Sequence, residues 1–178
     1  MKHTESRSAS CRCGAFTLHA DGPPIVTTAC YCASCQAAAP LLNAAAPLLE
    51  VDGGTRCSLF RKDRVHWASG TLREHRLTPT SKTRRVVTTC CDTPMFMEFA
   101  GGHWLSLYTG RFATADQPPL QLRVMTRSAP AGPRAFADDV PSYATHSPGF
   151  FVRLLWAWAR MGFRAPSIDL TRSTNDVA

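Results

Sequence analysis

The sequence predicts a mainly β protein built from short antiparallel strands. Three observations support this prediction. Segments rich in β-branched and aromatic residues alternate with polar residues, Gly- and Pro-containing turn signals separate these segments, and seven of the eight cysteines lie in groups. Grouped cysteines indicate a metal site or thiol chemistry in a small fold.

The elements are predicted in order along the chain. Residues 1–10 are polar and are predicted to form a disordered tail, after which Phe16 and Leu18 alternate with polar neighbours. The β-branched segment 25–28 leads into the densest cysteine group. Further strands are predicted at 57–60, 71–77, 84–89, 95–99 and 104–108, with the last two joined as a hairpin across Gly101 and Gly102.

Residues 126–178 are predicted to form a Pro-rich extension and a C-terminal amphipathic helix over 149–163. In a helical projection Arg153, Arg160 and Arg164 fall on one side and leave a wide apolar face. We expect this face to pack on the domain or across a homodimer, whereas contact with a membrane surface is the minor alternative. Residues from Ile168 onwards are expected to be frayed.

Composition limits the classes of partner. Lys and Arg outnumber Asp and Glu by 20 to 13, giving a net charge of +7 that favours an anionic ligand. The basic residues are scattered, so no nucleic-acid partner is expected. The N-terminus lacks the apolar segment of a secretory signal, and no run approaches the roughly 18 apolar residues of a membrane span. A cytoplasmic protein is therefore predicted, and structural disulfides are rare in that compartment.

The cysteines form three groups, and Cys57 stands alone as a predicted buried side chain in a strand. The groups are Cys11 with Cys13, Cys30 with Cys32 and Cys35, and Cys90 with Cys91. The middle group offers three thiols and no evident fourth ligand, as a catalytic zinc with an exchangeable position requires. The outer groups could complete a second, structural site, which gives one or two Zn²⁺ per chain. A redox-sensing role of the middle thiols and a strained Cys90–Cys91 disulfide are the alternatives.

Three motifs together resemble those of a known family. "CRCG" at 11–14, "CYCASCQ" at 30–36 and "CCDTPM" at 90–95 are similar, in order and spacing, to the motifs of the glutathione-dependent formaldehyde-activating enzyme and centromere protein V family. The similarity is closest to a branch with a Cys-Cys-x-Thr-Pro form and covers roughly residues 8–125. It implies a β-tent of antiparallel sheets as a zinc-binding domain over 11–125.

The resemblance also implies two zinc sites. Cys30, Cys32 and Cys35 match the ligands of a catalytic zinc at a glutathione-facing cleft, and Cys11, Cys13 and Cys91 match three structural ligands. Where the family has Cys-x-x-Cys-Gly, this chain has Thr88 at the first cysteine and Asp92 at the glycine. Either Cys90 replaces the missing ligand, or the structural zinc keeps three thiolates and another group.

The function implied by the resemblance is that of a zinc-dependent carbon–sulfur lyase acting on a thiol adduct such as S-hydroxymethylglutathione. Glutathione or its adduct would be the partner. The alternative is a non-catalytic zinc-stabilised scaffold that binds an anionic or protein partner. Candidates for contacting the glutathione carboxylates are Lys62, Arg84 and Arg85. Candidates for proton transfer, by residue type alone, are His66, His75 and His103.

Overall fold

The computed structural model describes residues 5–42, 47–68, 70–130, 132 and 136–171. Within these ranges the chain forms ten β-strands and two α-helices. The strands are β1 Ser6–Ser10, β2 Thr17–Asp21, β3 Val26–Cys30, β4 Thr55–Arg61, β5 Val65–Trp67, β6 Leu72–His75, β7 Thr83–Thr88, β8 Pro94–Phe99, β9 Trp104–Tyr108 and β10 Leu122–Val124. The helices are α1 Ala33–Leu42 and α2 Pro148–Ala159.

The strands of the described residues assemble into two sheets. The larger has the order β10-β3-β4-β9-β8-β7-β6 and the smaller the order β1-β2-β5. Neighbouring strands run antiparallel, apart from β10, which pairs with β3 in parallel. The predicted mainly β class is confirmed. The predicted hairpin is present as β8 and β9, with Phe96 opposite Leu107.

The N-terminal prediction is wrong for residues 6–10. Instead of belonging to a disordered tail, they form β1 and pair with β2 along its whole length, from Ser6 opposite Asp21 to Ser10 opposite Thr17. Ala9 is completely buried in the core. The polar serines of this segment do not indicate a strand. The segment is ordered by backbone pairing and by one small buried side chain. Residues 1–4 of the predicted tail lie outside the described residues.

A helix that the sequence analysis missed follows the middle cysteines. No helix was predicted here, but Ala33–Leu42 forms α1. In its first turn the amides of Cys35 and Gln36 donate to the Cys32 carbonyl at 3.0 and 3.1 Å. Its Ala-rich sequence has high helix propensity. Ala38, Ala39 and Leu42 are buried, so this helix covers one face of the large sheet.

The core has two parts on opposite faces of the large sheet. Side chains of consecutive residues in a strand point to opposite faces, and in β4 Leu59 and Phe60 enter different clusters. Phe60 packs with Trp67 and other residues of the small sheet. Leu59 belongs to the cluster that includes side chains of α1 and α2, such as Leu154. The helices therefore cover the face that the small sheet leaves free.

Helix α2 begins at Ser147, whose side chain accepts a hydrogen bond from the Phe150 amide at 3.2 Å, and Pro148 follows at the first helical position. The helix ends at Ala159, before the predicted limit of residue 163. Phe150, Leu154 and Ala157 are its buried residues, at the i, i+4 and i+7 spacing of one helix face. This face packs on the body of the domain, as one of the two predicted arrangements requires.

The chain beyond α2 also packs on the domain. Leu170 is buried in the core and Ile168 is partly buried against it, so the predicted fraying from residue 168 is wrong up to residue 171, where the described part ends. The Ile168 carbonyl accepts a hydrogen bond from Arg84 at 2.8 Å, and the Pro166 carbonyl accepts one from Lys62 at 2.9 Å. These side-chain contacts hold a segment that lacks regular secondary structure.

The outer face of α2 is apolar and exposed. It presents Phe151, Val152, Leu155 and Trp156, each more than half accessible to solvent. Homodimer contact through this face stays a prediction. In the described ranges, no helix combines the length and the apolar character that crossing a bilayer requires.

Candidate metal centres and the adjoining cavity

Four cysteines meet between the β1–β2 loop and the turn after β7. The sulfurs of Cys11, Cys13, Cys90 and Cys91 all lie within 4.8 Å of one another. Cys13 and Cys90 are 3.4 Å apart, Cys11 lies 3.5 Å from Cys13 and 3.7 Å from Cys90. A zinc ion with four sulfurs at about 2.3 Å places those sulfurs roughly 3.8 Å apart. The spacing and the donor type of this four-thiol cluster therefore fit zinc.

A bent turn lets the adjacent residues Cys90 and Cys91 reach the same point, whereas in a strand they would face opposite ways. Asp92 adopts a left-handed conformation with φ of 54°, and its amide donates to the Thr88 carbonyl at 3.1 Å. The Thr88 amide donates to the Thr93 carbonyl at 3.0 Å and closes the turn. Left-handed backbone favours glycine, and glycine is the residue that the resembling family has at the position of Asp92.

Hydroxyl groups prepare one of these thiols for metal binding. Burial raises the pKa of Cys91, but hydrogen bonds with Thr88 and Thr93 outweigh it and lower the pKa to about 5. The Thr93 hydroxyl oxygen lies 3.0 Å from the Cys91 sulfur. Zinc binds the thiolate, so this group is in the binding form at neutral pH. Cys90 and Cys91 are free thiols 3.7 Å apart, so the disulfide alternative is not realised.

The second cluster comes from one short segment at the junction of β3 and α1. Cys30 ends the strand, Cys32 precedes the helix and Cys35 lies in its first turn, with the three sulfurs within 4.8 Å of one another. Hydrogen bonds with Cys32 and Cys35 raise the pKa of Cys30. Hydrogen bonds with Cys30 and Cys35 lower the pKa of Cys32, assisted by the backbone amides of Cys35 and Ser34. The three-thiol cluster thus holds its negative charge at Cys32.

No other Cys, His, Asp or Glu of the described residues joins the three-thiol cluster. Gln36, the next polar residue along the chain, donates through Nε2 to the Gly53 carbonyl at 2.6 Å. Three thiols with no fourth protein ligand fit a zinc site that keeps one position for an exchangeable ligand.

The three-thiol cluster forms part of the wall of a cavity of about 430 Å³. The predicted buried residue Cys57 also reaches this wall, and burial raises its pKa. The apolar side chains of the wall come from the large sheet and from α2: Leu59, Met97, Phe99, Trp104, Val124, Phe150, Phe151 and Leu154. The four-thiol cluster does not line this cavity.

The three basic residues predicted to contact the glutathione carboxylates have different surroundings in the structure. Lys62 is buried and pairs with Glu98, and Arg84 pairs with both Glu74 and Glu98. Both are therefore neutralised by carboxylates. Arg85, which is 1% exposed, lines the cavity, and its Nη2 donates to the carbonyl and the hydroxyl of Ser34 at 2.8 and 2.7 Å. Of the three, the structure brings Arg85 to the three-thiol cluster.

The three predicted histidines lie elsewhere in the described part of the chain. His66 contacts Asp21 at 3.7 Å on the small sheet, His75 lies on β6, and His103 contacts the Leu154 carbonyl at 2.9 Å beneath α2. The cavity is lined instead by His146, with its ring 4.9 Å from that of Phe150.

The sequence analysis missed His146 because it lies in the Pro-rich extension and belongs to no motif. A histidine just before a predicted apolar helix was the available signal. Burial lowers the pKa of His146, although the charge of Cys32 opposes this effect. The imidazole is therefore neutral at physiological pH and able to accept a proton.

Comparison with known proteins agrees with the cysteine motifs. A search of curated proteins finds no match to this chain. A family model described as "Glutathione-dependent formaldehyde-activating enzyme" matches residues 6–127, more than half of the chain, including all eight cysteines. Helix α2 and His146 lie outside the matched range. On this match, the chain belongs to the glutathione-dependent formaldehyde-activating enzyme family.

Proposed function

We propose that this protein is a zinc-dependent carbon–sulfur lyase that acts on a thiol adduct such as S-hydroxymethylglutathione. The observation that supports the proposal most directly is the three-thiol cluster in the wall of the cavity, with no fourth protein ligand among the described residues. Family membership agrees with a glutathione-related reaction of formaldehyde. The proposal includes a cytoplasmic location for this activity, because thiols stay reduced in that compartment.

The proposal assigns two zinc ions per chain. Cys11, Cys13, Cys90 and Cys91 would hold the structural ion, with Cys90 as the fourth ligand in place of the family's earlier cysteine. The other ion would be held by Cys30, Cys32 and Cys35. Bound at that second site, zinc would supply a Lewis acid and a soft partner for sulfur beside the cavity.

The chain's own residues account for the proton. When a hydroxymethyl thioether is cleaved, the carbon–sulfur bond breaks, its electron pair leaves with sulfur, and the hydroxyl loses a proton as the carbonyl forms. His146 lines the cavity and is neutral, so it is our candidate for accepting that proton. In the reverse direction the imidazolium would return the proton to the oxygen.

Exchange spectroscopy by NMR tests this function. The rate at which glutathione, formaldehyde and their adduct interconvert would be measured with zinc-loaded protein and compared with the uncatalysed rate. We expect acceleration by the native protein, none by Cys32→Ala, and a loss of about 10²-fold or more for His146→Gln. Equal rates with native protein and with buffer would contradict the proposal.

One observation favours a second function, that of a non-catalytic zinc-stabilised scaffold. The exposed apolar face of α2 presents Phe151, Val152, Leu155 and Trp156, which is unusual for a surface helix without a partner. Light scattering of the native chain and of Trp156→Ser would show whether this face joins two copies. A dimer that dissociates in the variant, together with no catalysis of adduct exchange, would favour the scaffold.

A further inference from the structure

We propose that the cavity selects a thiol adduct with an aromatic or branched apolar body and one carboxylate, and that Arg85 binds this carboxylate through Nη1. The proposal narrows the substrate class and rests on the proposed function for the place of the sulfur, at the three-thiol cluster. It concerns a binding group in β7 and a wall built partly by the C-terminal segment beyond residue 127.

The first observation is the unused donor of a buried cation. Arg85 is 1% exposed, and its Nη2 is fixed by two hydrogen bonds to Ser34. Its Nη1 is buried and has no hydrogen-bond partner among the described residues. An unpaired charged donor is costly to bury, so a site of this kind is normally completed by a ligand or by water.

The second observation is where this donor lies. Thr83 and Arg85 are two positions apart in β7 and both line the cavity. Met97, which lies opposite Arg85 in β8, lines it too. Ser34, which holds the guanidinium, lies between Cys32 and Cys35 in the chain. A ligand whose sulfur is at the three-thiol cluster therefore has the free nitrogen of Arg85 beside it. A carboxylate matches the planar donor geometry of a guanidinium group and is carried by glutathione and similar thiols.

The third observation is that the wall offers a ligand no charged group besides Arg85 and the three-thiol cluster. Among the described residues, the lining of the cavity contains no Asp, Glu or Lys and no second Arg. Glutathione carries two carboxylates and one ammonium group, and the cavity offers a charged partner for one of these three. A ligand with one carboxylate leaves no charge unmatched, and burial of an unmatched charge opposes binding.

The fourth observation is the apolar wall. Phe99 and Trp104 come from the sheet, and α2 adds Phe150, Phe151 and Leu154. Aromatic and aliphatic walls bind apolar bodies through area removed from water. Because α2 lies outside residues 6–127, its part of this wall is not covered by the family match, and we infer that it favours an adduct less polar than that of glutathione.

Calorimetric titration of the zinc-loaded full chain tests the carboxylate site with probes that lack sulfur. We expect 3-phenylpropanoate to bind at least about tenfold more tightly than its neutral isostere 3-phenylpropanamide, since a hydrogen bond to a charged group is stronger than a neutral one. Arg85→Met should abolish the difference. Arg84→Met, a change of the neighbouring arginine that lies outside the cavity, should retain it. Equal binding of the two probes to the native chain would overturn the proposal.

A second pair of variants tests the apolar wall. Phe151 and Leu155 lie on the same helix and are 57% and 56% exposed, but Phe151 lines the cavity and Leu155 does not. Phe151→Ala should weaken 3-phenylpropanoate severalfold, whereas Leu155→Ala should leave its affinity unchanged. If both variants weaken it equally, the wall proposed here is wrong.

A sulfur-containing probe separates this inference from the proposed function. We expect 2-mercapto-3-phenylpropanoate to bind more tightly than both 3-phenylpropanoate and glutathione, and to change the absorption of the cobalt-substituted protein. If the sulfur atom gives no gain in affinity over 3-phenylpropanoate while the preference for the carboxylate persists, the proposed function fails and the Arg85 site stands. Tighter binding of glutathione would overturn the substrate class. If circular dichroism shows that Arg85→Met is unfolded, Arg85→Lys is used instead. We expect Arg85→Lys to reduce the preference for 3-phenylpropanoate over 3-phenylpropanamide. An unchanged preference would contradict the proposal.

Discussion

The two cysteine clusters use the same donor atoms in different surroundings. The four-thiol cluster joins segments nearly eighty residues apart, since Cys11 and Cys90 are separated by 79 positions. The three-thiol cluster comes from six consecutive residues and lines a cavity. With zinc bound, the first would fill all four positions around the metal and tie distant strands together, whereas the second would leave one position facing the cavity. On the proposed function, the number of ligands and the distance between them along the chain separate a role in stability from a role in chemistry.

The largest expected effect is the loss of one ligand from the four-thiol cluster. In Cys11→Ser we expect the free energy of unfolding to fall by at least about 3 kcal/mol and Tm by about 10 °C, because structural zinc contributes folding energy directly. Thermal denaturation followed by circular dichroism and zinc analysis would measure both. A variant with native Tm and one zinc fewer would show that this cluster does not stabilise the fold.

Cys32→Ala should have the opposite pattern. We expect this change to reduce zinc by one ion per chain and to remove the response to thiols, while the free energy of unfolding changes by about 1 kcal/mol or less. The cluster lies within one short segment, so its metal ties no distant strands together. Loss of stability as large as that in Cys11→Ser would mean that both sites are structural.

Much of this comparison was predictable from the sequence, because ligands are chemically distinct residues at fixed spacings. The grouping of Cys30, Cys32 and Cys35 and the hairpin of β8 and β9 depend on local patterns. Helix α1 was missed because the sequence analysis used the spacing of the cysteines and did not consider the helix propensity of the Ala-rich residues after them. The positions of Arg85 and His146 at one cavity depend on strand order and on the docking of α2, and neither has a local signature.

Mild acid should loosen helix α2, which forms part of the cavity wall beside the three-thiol cluster, before it affects the four-thiol cluster. Burial lowers the pKa of His103 below its ordinary value of 6.5, so the unfolded chain binds more protons below that pH. The stability that His103 provides is therefore present above pH 6.5 and is lost as pH falls below it. We expect α2 to loosen from the cavity while the four-thiol cluster, with Cys91 at a pKa of about 5, still holds zinc.

Tryptophan fluorescence would follow this loosening, because Trp158 of α2 stacks on His103 with ring centroids 5.7 Å apart. His103→Gln should flatten the dependence of the fluorescence on pH below pH 6.5, and His66→Gln, a change on the small sheet, should preserve it. Release of zinc from both clusters in one step, without a prior change in fluorescence, would contradict the expected order.

The smallest effect concerns the turn that lets Cys90 and Cys91 share one centre. Asp92→Gly relieves the strain of a left-handed backbone, which stabilises the folded protein. It also increases the conformational entropy of the unfolded chain and removes the exposed contact with Arg73, and both effects destabilise the protein. The gain and the two losses in free energy of unfolding nearly cancel. We expect a change below about 1 kcal/mol and full zinc content. Asp92→Val, which places a β-branched residue at positive φ, should instead destabilise the protein by more than about 1 kcal/mol. If chemical denaturation gave equal losses for the two variants, the side-chain contacts of Asp92, rather than its backbone conformation, would hold the turn, and the resemblance to a glycine position would have no physical meaning.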